Sequence, residues 1–178
     1  MMTGLLATLD LDSILDFMNR GGQVLWWLAV VVVLTWLFVV ERFYFLLWVF
    51  PKEKQKWIQA WQQRNDHASW YALAMRDGWI SQARISLFKY INFIKVLVAI
   101  CPMLGLLGTV TGMISVFDVM ANQGSSDPKL MASGISLATL PTMAGMVAAL
   151  AGVFIHSRLT KRSHYALLKL EKSLRSYR

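Results

Sequence analysis

The stretch GGQVLWWLAVVVVLTWLFVV, residues 21–40, is twenty residues long and carries no charged side chain. Wound as an α-helix at about 1.5 Å per residue it covers about 30 Å, the thickness of the hydrocarbon core of a bilayer. Working outward, Val96 to Phe117 gives twenty-two uncharged residues between Lys95 and Asp118. Leu130 to Ile155 gives twenty-six more between Lys129 and His156, room for a tilted helix that starts a few residues in. The chain as a whole is 56% hydrophobic and 16% charged with mean hydropathy +0.47, too apolar for a soluble domain of 178 residues. The expected class is therefore an all-α membrane protein with three transmembrane helices and long cytoplasmic helical extensions.

The net charge of +8 could suggest nucleic acid, but the cations lie at the membrane flanks, so no nucleic acid is expected as a partner. Lys and Arg number one before the first span, nine from Arg42 to Lys95, one at Lys129 and seven after Ile155. By the positive-inside rule the middle region and the C-terminus are cytoplasmic, and the N-terminus lies outside. Asp10, Asp12 and Asp16 stand where a cleavable signal would have its basic region, so the N-terminus is expected to be retained.

The expected organisation runs as follows. Residues 1–20 form an outer amphipathic segment, with Leu11, Ile14, Leu15 and Met18 at helical spacing and Gly21 and Gly22 ending it. Spans cover 21–41, 96–117 and 133–156. A cytoplasmic helical domain covers 42–95, where Trp57 and Trp61 stand four apart. Residues 118–132 make an outer loop around the irregular NQGSSDP. Residues 157–178 continue the third span as a cytoplasmic helix with Leu167, Leu170 and Leu174 on one face.

Small residues recur at a 4-3-4-3 spacing in both later spans: Cys101, Gly105, Gly108, Gly112 and Ser115 in one, Ala138, Thr142, Gly145, Ala149 and Gly152 in the other. Lipid tails are as apolar as leucine, so membrane helices associate through close backbone approach, which small side chains permit. Spans two and three are therefore packing helices, while span one, bulky and bearing Trp26, Trp27 and Trp36, suits a lipid-facing position. Three spans enclose too little for a water path, so a homo-oligomer is expected, with at least one stripe between copies. Pro102 and Pro141 remove the helix bonds to the carbonyls of Val98 and Leu137, predicting bends or freed acceptors there.

No Asp, Glu, Lys, Arg or His lies between Lys95 and Asp118 or between Lys129 and His156. Intramembrane proton relays use ionisable side chains; here the polar groups are the hydroxyls of Thr109, Thr111, Ser115, Ser136, Thr139 and Thr142. Such groups hold water or solvate a partner's carboxylate without titrating. The bland alternative is that they bond to their own helix or across helices, at about 0.6 kcal/mol each. GLLGTVTG, residues 105–112, looks like a phosphate loop but lacks the Lys-Ser/Thr that would complete one. His67, His156 and His164 lack metal-ligand spacing, Cys101 has no thiol partner, and no nucleophile stands beside a base. No enzyme activity, metal or cofactor is expected.

The runs PMLGLLGTVTGMISVF, residues 102–117, and GISLATLPTMAGMVAALAGVF, residues 134–154, resemble the ExbB/TolQ/MotA proton-channel family. The short chain and short outer N-terminus look most like the compact ExbB of a second TonB system. The resemblance implies a pentamer in the bacterial inner membrane whose second and third spans line a pore holding helices of an ExbD-like single-span partner, which brings the protonatable aspartate. It implies that Thr109 and Thr142 line that pore, with Thr139 and Ser136 beside them, and that protons are the transported ion. Proton movement would rotate partner against ring and pass work to a TonB-like protein; a unit charge crossing about 100 mV releases about 2.3 kcal/mol, enough to bias a rotary step. Many relatives carry a glutamate five positions before the span-three threonine, where this chain has Leu137, which shifts the titrating role to the partner. A TolQ-like or MotA-like motor, a scaffold without an ion pathway and a self-sufficient channel are the rival readings.

Overall fold

The computed structural model describes residues 13, 15–19, 21–63, 69–123 and 128–175. Among these residues the chain is helical apart from short turns. The expected amphipathic positions Leu11 and Ile14 and most of the tip of the outer turn, residues 124–127, lie outside the described residues.

Residues 15–19 are helical and end at Gly21, whose N–H donates to the Phe17 carbonyl at 3.1 Å. Gly22 then takes φ +70°, a left-handed conformation that glycine adopts without steric cost, and the direction of the chain resets there. Helix α1 follows over Gly22–Tyr44 and passes through a π-helical turn, Phe45–Val49, into α2, Phe50–Gln62. Pro51 falls in the first turn of α2, a position where a proline ring fits a helix start.

Helix α3 spans Trp70–Phe88 and is capped by Ser69, whose hydroxyl accepts from the Tyr71 N–H at 3.4 Å. Lys89 leaves the helical region and Tyr90 adopts φ +64°, which turns the chain into α4, Ile91–Gln123. Helix α5 runs unbroken over Pro128–Arg175, forty-eight residues. At about 1.5 Å per residue that is about 72 Å, more than twice a hydrocarbon core, so the helix must continue into water. Both α4 and α5 reach past the membrane boundaries expected from charge: DVMANQ, residues 118–123, contains no helix breaker, and Pro128 opens α5. Most of the expected 118–132 loop is thus helix.

Three helical stretches, Gly22–Gln62, Trp70–Asn122 and Met131–Leu174, are long and apolar enough to cross a membrane. The chain is an all-α, multi-pass membrane protein with helical extensions beyond its apolar segments. It divides into two compact units.

The first unit joins Met1–Thr35 with Leu97–Ala151. Its core is Leu25 and Leu28 of α1, Cys101 of α4 and Ala149 of α5, with Leu104, Ala144 and Ala148 packed around them. Span one buries that single face and leaves Trp26, Trp27 and Val30 exposed, the pattern of a helix with lipid on its far side.

The second unit joins Trp36–Val96 with Gly152–Arg178. Its core is built from Phe50 and Trp61 of α2, Ala72, Ala83 and Leu87 of α3, and Leu167, Leu170 and Leu174 of α5. The leucines recur every three or four residues, so one stripe of α5 is buried while Tyr165 and Leu168 on other faces stay exposed. Trp61 meets Trp79 edge to face at 6.3 Å, and Phe88 meets the His164 ring at 4.7 Å. His164 is thereby a packing residue.

Candidate functional site

In the first unit the small-residue stripes of α4 and α5 meet each other within one chain. A methyl group placed on Gly105 would stand 2.9 Å from both the Pro141 carbonyl oxygen and the Thr142 Cα. On Gly108 it would stand 2.5 Å from the Pro141 Cβ, on Gly112 2.7 Å from the Ala138 Cβ, and on Gly145 2.6 Å from the Cys101 carbonyl oxygen. These approaches are shorter than any real Cβ makes, so the glycines are what lets the two backbones touch. Ala149 is buried in this unit, and Gly152 is buried in the second. Both prolines lie inside continuous helices: Pro141 is fully buried in the seam and Pro102 is exposed. The stripe that was expected to serve contacts between copies is thus in contact within one chain.

The seam fixes where the hydroxyls stand. Thr142 is half-buried beside Gly105, and Thr109 is half-buried one helical turn further along α4. Thr139 and Ser136 are exposed. The Thr142 hydroxyl donates to the Thr139 carbonyl at 2.7 Å, Thr139 to the Ser136 carbonyl at 2.8 Å, and Thr109 to the Leu106 carbonyl at 2.7 Å. Thr111 donates to Leu107 at 2.9 Å and Ser115 to Thr111 at 3.1 Å. A hydroxyl has one proton and two lone pairs. With the proton committed to the helix, each threonine oxygen presents itself outward as an acceptor. It therefore suits a water or a protonated carboxyl group, and it can donate to a carboxylate only by giving up its internal bond.

On a helix turning about 100° per residue, Gly134, Leu137, Ala138 and Pro141 lie on a different face from Ser136 and Thr139. That first face borders a cleft of about 440 Å³, closed otherwise by Gly21 to Val24 and by Gly108, Thr111, Gly112, Ser115 and Val116. The residues predicted to line a pore are absent from its walls, so the cleft and the exposed hydroxyl residues Ser136 and Thr139 lie on separate faces of α5.

The second unit holds a residue that sequence reasoning passed over. Arg42 is only 3% exposed. Its Nη1 donates to the Ser86 carbonyl at 2.9 Å, its guanidinium lies over the rings of Phe45 and Tyr90 at 5.1 and 4.9 Å, and its Nε is 3.4 Å from the Glu41 carboxylate. Phe38 meets the Tyr90 ring at 5.6 Å and the Phe93 ring at 5.2 Å. Tyr90 is held in its left-handed conformation by this cluster. Arg42 had counted only toward topology; the available signal was that, with Glu41, it closes the long apolar run, where a cation must either reach water or find partners.

A profile of the MotA/TolQ/ExbB proton channel family matches residues 53–172, more than half of the chain. The chain is similar to the biopolymer transport protein exbB1 of Vibrio cholerae, with 33% identity over 97 residues that cover 54% of this chain and 42% of that protein. It is also similar to the biopolymer transport protein ExbB of Helicobacter pylori, with 31% identity over 84 residues, 47% of this chain and 58% of the relative. The matched segments thus span about half the length of these relatives. An all-helical membrane chain whose apolar later spans carry hydroxyls in place of acids, and whose residues 53–172 match that profile, belongs to the MotA/TolQ/ExbB proton channel family.

Proposed function

We propose that this chain is the ring-forming, proton-channel subunit of an ExbB–ExbD-type motor in the bacterial inner membrane, which energises TonB-dependent transport of iron chelates or similar cargo across the outer membrane. The N-terminus faces the periplasm and the C-terminus the cytoplasm, with spans at 21–41, 96–117 and 133–156. Five copies surround helices of an ExbD-like partner that carries the titrating aspartate, and the moving partner works on a TonB-like protein. The finer assignment, to the compact ExbB of a second TonB system, is part of this proposal.

The observation that carries the reading is the set of hydroxyls of Thr109, Thr142, Thr139 and Ser136 in two apolar stretches, 96–117 and 130–155, that contain no acid or base. Three of these oxygens are oriented as acceptors. They complement a partner's carboxyl group in its protonated form, which is the form that must cross apolar surroundings. Both named relatives are ExbB proteins, which favours TonB-type transport over a TolQ-like or MotA-like client.

The same hydroxyl bonding also suits a scaffold in which the threonines only complete their helices. Thr142→Val separates the two readings. The motor reading expects uptake driven by the proton-motive force to fall while expression and assembly stay normal; uptake equal to wild type supports the scaffold.

A further inference from the structure

The cleft in the first unit is bounded by the outer ends of all three spans. Taking the span boundaries above, Gly21 to Val24 are the first four residues of span one, those on α4 reach back nine residues from the end of span two, and Pro141 is the ninth residue of span three. The cleft therefore penetrates about 12–14 Å from the outer face. At about 30 Å³ per molecule its volume of about 440 Å³ has room for roughly fifteen waters.

Three features make water the fitting occupant. Thr111 and Ser115 contribute oxygens whose protons are tied to α4, leaving acceptors on the cleft wall. The exposed Gln23 adds an amide. Most tellingly, Leu137 and Pro141 both line the cleft, and Pro141 has no N–H with which to satisfy the Leu137 carbonyl four residues earlier. A carbonyl without its helix donor costs several kcal/mol in hydrocarbon, and transmembrane helices that keep an internal proline satisfy it with water or a neighbouring side chain.

We propose that this cleft is an aqueous vestibule, one in each copy of the chain, open to the outer face and ending at the Leu137 carbonyl. It is distinct from the hydroxyl surface assigned to the shared pore, and it rests on the proposed function only for which membrane face is outer.

Cysteine accessibility tests it in the full chain, in cells and in inverted membrane vesicles. Cys101, buried and the single native thiol, is replaced by Ala, and Ser115→Cys, Thr111→Cys and Gln23→Cys are introduced one at a time. A charged, membrane-impermeant methanethiosulfonate reagent is applied from each side, with Val30→Cys, an exposed position two turns deeper in span one and outside the cleft walls, as reference. Ser115→Cys is nearly isosteric, so it keeps the test valid if a larger change disturbs folding. Because the thiolate is the reacting species and does not form in lipid, the vestibule predicts labelling from the outer side at least roughly tenfold faster than at Val30→Cys. Protection of all three from both sides, at the Val30→Cys rate, overturns the vestibule. Labelling from the cytoplasmic side alone overturns its outward opening and the proposed orientation together, whatever becomes of uptake.

Discussion

Gly105 and Thr142 are in backbone contact: a methyl group on Gly105 would lie 2.9 Å from the Thr142 Cα. One of the close backbone approaches between spans two and three thus stands beside the threonine that the proposed function places in the pore.

That contact predicts asymmetric costs for adding a methyl group. Gly145→Ala would press a Cβ onto the Cys101 carbonyl oxygen, a backbone atom that cannot swing aside, and should destabilise the protein by about 1–3 kcal/mol. Gly78→Ala, on α3 with nothing within 4 Å of the added atom, should stabilise it by about 0.5–1 kcal/mol. Thermal unfolding of the detergent-solubilised variants checks both. Equal effects, or a reversed order, would remove the seam as described.

Thr142 can be probed by what its oxygen does. Thr142→Ser keeps an acceptor whose proton can return to the Thr139 carbonyl, whereas Thr142→Val keeps the shape and loses the oxygen. Uptake should be near wild type in the first and fall by about tenfold in the second, a loss of about 1.4 kcal/mol of interaction, within the range for a hydrogen bond to a neutral group. Two variants equally impaired would point to side-chain volume as the cause.

Arg42→Ala removes a bond to the Ser86 carbonyl and two ring contacts at the corner where Tyr90 is left-handed. The expected loss is about 2–3 kcal/mol. Arg42→Lys should recover only part of it, since an ammonium does not reproduce the planar stacking. Protease susceptibility near residue 90 reads the effect; a wild-type pattern in Arg42→Ala would contradict the clamp.

Lys54 sets a pH dependence. Burial pushes its ammonium below the usual lysine range, and the nearby Lys169 cation adds to the shift. For a base whose folded pKa is lowered, the folded state carries a penalty in full below that pKa, and the penalty fades as pH rises through it to the ordinary value. Lys54→Gln should therefore raise the unfolding midpoint at neutral pH, and its advantage should shrink as the pH enters the lysine range. An advantage that grows with pH would show the opposite coupling.

The three spans were legible because charge-free runs of this length have few other uses, and Leu167, Leu170 and Leu174 announced a buried stripe that the second unit does contain. The glycine spacing identified packing helices, but periodicity does not name the partner; that Gly105, Gly108 and Gly112 meet Pro141, Thr142 and Ala138 of the same chain needed coordinates. The ends of α4 and α5 were set by helix propensity beyond the charges that mark a membrane boundary, which is why an expected loop proved mostly helical. Arg42 was hidden because a cation flanking a span ordinarily reaches water, and only its partners on α3 and Tyr90 keep it inside. The cleft was hidden too: Gln23, Ser115 and Leu137 are far apart in sequence, and nothing in their spacing brings them together.

The central claim is that Thr109, Thr139 and Thr142 border a cavity shared between copies and occupied by a partner's carboxyl-bearing helix. An electron cryo-microscopy reconstruction of the complex isolated from native membranes tests it most directly. The expected result is a ring of this chain around a helix whose Asp side chain lies within hydrogen-bond reach of Thr142 or Thr139; hydroxyls turned toward lipid, or a ring filled by its own side chains, would contradict it.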